Sequence, residues 1–124
     1  MNREPGEVSA QTVIAVPVVF LMLMMAVQAT VYVHAAHVAA VAATRGASTG
    51  AMIDGTDVAA LSEATRTIAE LSGRPSALPS FVRREGSVEV TVRLAVPRVA
   101  PFFDLVVTRS ARAREERYVP ETER

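Results

Sequence analysis

No cysteine, tryptophan or lysine occurs in this chain. Lacking cysteine, it has no disulfide framework, no thiolate metal site and no thiol nucleophile. It also lacks an excess of either charge, because 13 basic residues, all arginine, face 13 acids. A formally neutral chain gives no electrostatic case for nucleic acid as a partner. With 124 residues there is room for one small domain beside a single long segment.

Charge is missing altogether from Val8 to Thr44, a stretch bounded by Glu7 and Arg45. Its centre, Val13 to Val27, is apolar at every position. About 20 apolar residues at ~1.5 Å each cross a hydrocarbon layer of ~30 Å. Between residues 13 and 33 there are 11 Val, Ile, Leu or Phe side chains, which favour insertion by about −3 to −6 kcal/mol. Gln28 and Thr30 subtract from this without reversing it. A buried helix of a soluble protein would need a large surrounding core, which the remaining residues cannot supply. The expectation is one transmembrane helix, spanning about residues 13–33, in the lipid bilayer.

The helix is expected to begin around Val8 to Ala10, with Ser9 as N-cap, and to reach about Arg45 or Ser48. Pro17 lies inside it, frees the carbonyl of Val13 and predicts a bend there. Past residue 28 alanine dominates. Ala29, Ala36 and Ala43 recur every seven residues, and Ala35, Ala39 and Ala43 every four, a spacing that lets helices approach closely. Gly46 to Gly50 is then expected to break the rod.

A second helix is predicted from about Asp57 to Leu71, capped by Thr56 and ended by Gly73 and Pro75. Its apolar positions are Val58, Leu61, Ile68 and Leu71, with Thr65 filling the interval, while Glu63, Arg66 and Glu70 can pair on the wet side. Ser80 to Arg84 can form a short strand, and Arg84-Glu85-Gly86 a hairpin turn with glycine at positive φ. Ser87 to Val96 alternates as the clearest strand. Phe102 and Phe103 are expected between sheet and helix, and a third strand from Asp104 to about Arg114. The resulting fold class is α+β: a long N-terminal transmembrane helix, one short amphipathic helix and a small antiparallel β-sheet. In segments, residues 1–7 form a short leader, 8–48 the long helix, 49–116 a small extracytoplasmic domain and 117–124 a charged tail.

An enzyme needs converging groups, and the sequence offers none. His34 and His37 stand at i and i+3 but have no carboxylate or third histidine nearby in sequence, so no metal site is read. Gly46 to Gly50 lacks the lysine of a phosphate loop, and Asp54-Gly55-Thr56-Asp57 lacks the later glutamate of a calcium loop. No Gly-x-Ser-x-Gly elbow is present. Arg109, Arg112, Arg114 and Arg117 are largely offset by Glu115, Glu116 and Glu121. No cofactor is expected.

Gly6, then Gln11, then Pro17 inside an apolar helix resembles the TadE-like family, pseudopilin-like components of Tad (Flp-type) pilus assembly. The resemblance covers about residues 6–45. It implies cleavage by a prepilin peptidase after Gly6, leaving Glu7 first, with Gln11 at the place where the family usually has glutamate. Gln11 keeps a hydrogen-bonding side chain without the charge, and Glu7 supplies a carboxylate close by. It further implies a pilin-like fold, a non-catalytic role and partners among other pilus subunits and Tad assembly proteins. The location implied is the cytoplasmic membrane, single-pass with the C-terminal domain outside, or a pilus. The alternative is a small secreted or membrane-tethered α+β binding module whose first helix is a signal cut after Ala29 or Ala35, or an anchor.

Overall fold

A computed structural model describes residues 5–72, 78–117 and 119, with residues 5–8 described through their backbone only. The order is α1 (Pro5–Ala51), α2 (Asp57–Ser72), β1 (Ser80–Arg84), β2 (Ser87–Ala95) and β3 (Val106–Arg114). The fold is α+β. The strands form one antiparallel sheet in the order β1-β2-β3. One sheet face carries both helices. Gly73 and Pro75, the expected stop of α2, lie outside the described residues, as does the tail beyond Arg117 except Val119.

α1 is longer than its sequence signals suggest. It begins with Pro5 in the first helical position, which a fixed φ and absent N–H suit, so Ser9 is interior rather than a cap. It continues through Pro17 and through the glycines expected to break it. Those glycines serve contact instead. A Cβ on Gly46 would stand 3.0 Å from the Ala60 carbonyl oxygen and 3.1 Å from the Ala64 Cβ. On Gly50 it would stand 2.8 Å from the Phe81 ring and 3.0 Å from the Ala60 Cβ. Packing against α2 and the sheet offsets the low helix propensity of glycine.

The same closeness decides which face of α2 is covered. Ala60, Ala64, Thr67 and Ile68 are buried. Val58 is 76% exposed, Leu71 is also exposed, and of the expected apolar face only Ile68 is fully covered. Large side chains cannot enter where the helix backbones nearly touch, so alanine holds the seam. The start of α2 follows expectation: Thr56 Oγ1 accepts the Ala59 N–H at 3.1 Å. Arg66 pairs with Glu63 at 2.7 Å and with Glu70 at 3.8 Å on the exposed side.

In the sheet, Val88, Val90, Val92 and Leu94 of β2 point into the core. Across the ladder they face Ala113, Ala111, Arg109 and Val107 of β3. The alanines of β3 leave space for α1, which packs on both strands. The outer face is polar: Arg112 pairs with Glu89 at 2.9 Å, and Thr91 and Ser110 share a hydrogen bond of 2.8 Å. Gly86, at φ 72°, turns the first hairpin.

Candidate membrane-facing site

α1 divides sharply at Gln28. From Ser9 to Val27 every side chain is exposed except the half-buried Met24. From Ala35 to Ala51 the inward positions, including Val38, Ala39, Ala42 and Ala43, form the centre of the chain's own core. α1 is long and apolar enough to cross a membrane, and its most apolar window is wholly uncovered. The uncovered part is about 28 Å long at 1.5 Å per residue.

Gln28 fixes the boundary. It is only 4% exposed. Its Oε1 accepts the Val99 N–H at 2.9 Å and the Ala100 N–H at 3.1 Å. Its Nε2 donates to the Pro97 carbonyl oxygen at 3.3 Å. One amide therefore satisfies three backbone groups of the β2–β3 loop and holds that loop against the helix. In the sequence alone Gln28 registers only as a loss of hydropathy. The available signal is an amide flanked by apolar residues in a helix, since such a group needs partners wherever it is buried.

The loop corrects a second expectation. Phe102 and Phe103 are not inserted between sheet and helix: Phe102 is 79% exposed and Phe103 is 37% exposed. Phe103 instead lines a shallow apolar groove with Met25, Gln28, Ala29 and Tyr32 of α1. Pro97 and Pro101 bracket the loop, and Gln28 holds it on the outside of α1, so neither ring has a path into the core.

At the far end Arg83 has a similar tying role. Its guanidinium donates to the Gly55 carbonyl at 3.2 Å, pairs with Glu115 and approaches Asp57 at 3.6 Å. It also lies 5.4 Å from the centre of the Phe81 ring. The end of α1 is closed there by the Glu116 N–H, which donates to the Ala51 carbonyl at 2.9 Å. On the outer sheet face the hydrogen bond from Arg112, reinforced by its charge, holds the Glu89 carboxyl below its ordinary range.

The singled-out residues do not converge. Gly6 and Glu7 belong to the first turn of α1, where only the backbone is described. Gln11 and Pro17 are exposed on the uncovered half. Of the seven-residue alanine set, Ala29 is exposed, Ala36 half-buried and Ala43 buried in the chain's own core, so the three present no common outer stripe. His34 and His37 are both exposed. Among the described residues there is no group of three or more His, Cys, Asp or Glu able to hold a metal ion. No family model, curated protein or solved structure matches this chain.

Proposed function

We propose that this chain is a non-catalytic, single-pass membrane protein that acts in pilus assembly in the manner of TadE-like proteins. The observation that carries the membrane reading is the division of α1 at Gln28. Upstream lies an uncovered apolar rod of bilayer length; downstream the same helix is the spine of a folded domain. On this reading the hydrocarbon-spanning part falls at about residues 9–27. That is displaced toward the N-terminus from 13–33, because Val31, Tyr32 and Ala35 pack on the chain's own core. The domain from Gln28 onward then sits outside the cytoplasmic membrane.

The pilus reading rests on the resemblance carried by Gly6, Gln11 and Pro17. A helix held in lipid and later withdrawn into a bundle of like helices needs apolar length and few charges, as here. Partners would be other pilus subunits and Tad assembly proteins, engaged through the uncovered part of α1. The secreted-module reading fits less well. Cleavage after Ala29 or Ala35 would remove Gln28 from the domain, and the second cut would remove Val31 and Tyr32 as well.

Sequencing the mature N-terminus separates these readings. A start at Glu7 supports processing as a pseudopilin, a start at Thr30 or Ala36 supports secretion, and an intact Met1 identifies an unprocessed anchor. Substituting Gly6 and Gln11 and measuring pilus production in the source cell tests the assembly role. Unchanged pili from both variants would argue strongly against it.

A further inference from the structure

We infer that the β2–β3 loop is a second membrane contact, with Phe102 and Phe103 seated in the headgroup boundary of the same bilayer that α1 crosses. The inference rests on the membrane reading of α1 and adds to it the orientation of the domain. Gln28 clamps the loop to α1 at the level where the uncovered apolar rod ends. Phe103 lines one apolar groove together with Met25 of the uncovered part and with Gln28, Ala29 and Tyr32. The exposed apolar surface of the helix is thus continuous with that of the loop. Two phenylalanines held out on a loop are poor partners for water. At a lipid boundary their rings are covered while the surrounding backbone stays wet.

The polar groups of the loop fit the same position. Arg98 is exposed and paired only loosely with Asp104, at 3.6 Å, so its guanidinium can reach lipid phosphates. Tyr32, half-buried one turn above Gln28, places a phenol near the same level. A loop hydrogen bond from the Phe103 N–H to the Ala100 carbonyl, at 3.3 Å, and another from the Val96 N–H to the Leu105 carbonyl, at 2.9 Å, keep the loop folded back. A domain anchored both by α1 and by the loop has its tilt against the bilayer surface fixed.

The absence of tryptophan makes the test direct. Full-length protein carrying Phe102→Trp, Val19→Trp or Val58→Trp is reconstituted in phosphatidylcholine vesicles with acyl chains brominated at defined depths. Val19 lies mid-rod and Val58 at the far end of the domain. The expected result for Phe102→Trp is blue-shifted emission and strong quenching by shallow bromines, with little quenching by aqueous iodide. Val19→Trp should be quenched by deep bromines, and Val58→Trp by iodide alone. If Phe102→Trp behaves like Val58→Trp while Val19→Trp is quenched by bromine, α1 is inserted but the loop stands clear, and the inference fails alone. Shielding from both iodide and bromine would mean that protein covers the loop, which also overturns it. If Val19→Trp escapes bromine, the anchor reading falls and the inference with it.

Discussion

Single polar side chains close both ends of the small domain, and Gln28 is the more informative of the two. Replacing Gln28 with alanine leaves the Val99 and Ala100 N–H groups and the Pro97 carbonyl without their partner. A buried backbone group abandoned in this way, as the Ala100 N–H would be, costs about 1–3 kcal/mol. Gln28→Ala should therefore lower the urea midpoint of the domain in detergent, followed by far-ultraviolet circular dichroism. Thr67 presents the opposite case. Its Oγ1 is buried with no hydrogen-bond partner, so Thr67→Val should be neutral or raise the same midpoint, by up to about 1 kcal/mol. Glu89 gives a pH signature. Its carboxyl is held below its ordinary range by Arg112, so the folded state favours the charged form. That stabilisation is complete above the unfolded-state value and is lost as pH falls through the folded-state value. Acid titration of stability should then be shallower in Glu89→Gln than in the parent on that low-pH flank, with the parent the more stable near neutrality and the two converging at low pH.

At the scale of elements, the alternating pattern of β2, the Gly86 hairpin and the Thr56 cap were legible because each depends on neighbours in sequence. Features that depend on distant segments were not. Gly46 and Gly50 resemble helix breakers until α2 is known to press on them, and nothing local distinguishes a contact glycine from a breaking one. The buried face of α2 is hidden from the sequence for the same reason: size, rather than hydropathy, chose Ala60 and Ala64 over Val58 and Leu71. Phe102 and Phe103 look like core residues by composition, and their exposure follows from the clamp at Gln28. The turn between the helices gives the clearest test of close packing. A Cβ on Gly55 would lie 2.5 Å from the Gly50 carbonyl oxygen and 2.6 Å from that of Thr49, and backbone cannot yield as a flexible side chain can. Gly55→Ala should destabilise the domain by about 1–3 kcal/mol, against the small gain alanine usually brings to a chain. Ser48→Ala, at an exposed position of the same region, should stay within about 0.5 kcal/mol of the parent.

The whole molecule is one helix used twice, as a rod without cover and as the spine of a fold, and the two uses should be separable at Gln28. The core cluster reaches no further toward the N-terminus than Val31 and Tyr32 among its partly covered members, and the loop clamp adds only Gln28 itself. A chain beginning at Gln28 therefore retains the core cluster and the loop clamp while losing the apolar rod. It should fold as a water-soluble domain with a cooperative urea transition and slowly exchanging amides in β2. A chain beginning at Ala36 lacks Gln28, Val31, Tyr32 and Ala35. The loop is then unclamped and the cleft between α1, the end of α2 and β2, lined by Val31, Ala35, Val38, Leu71 and Leu94, is opened to water. That shorter chain should unfold at markedly lower urea or aggregate. Equal stability of the two would show that α1 contributes nothing to the fold between Gln28 and Ala35, and the division of the helix into rod and spine would have to be redrawn further along the chain.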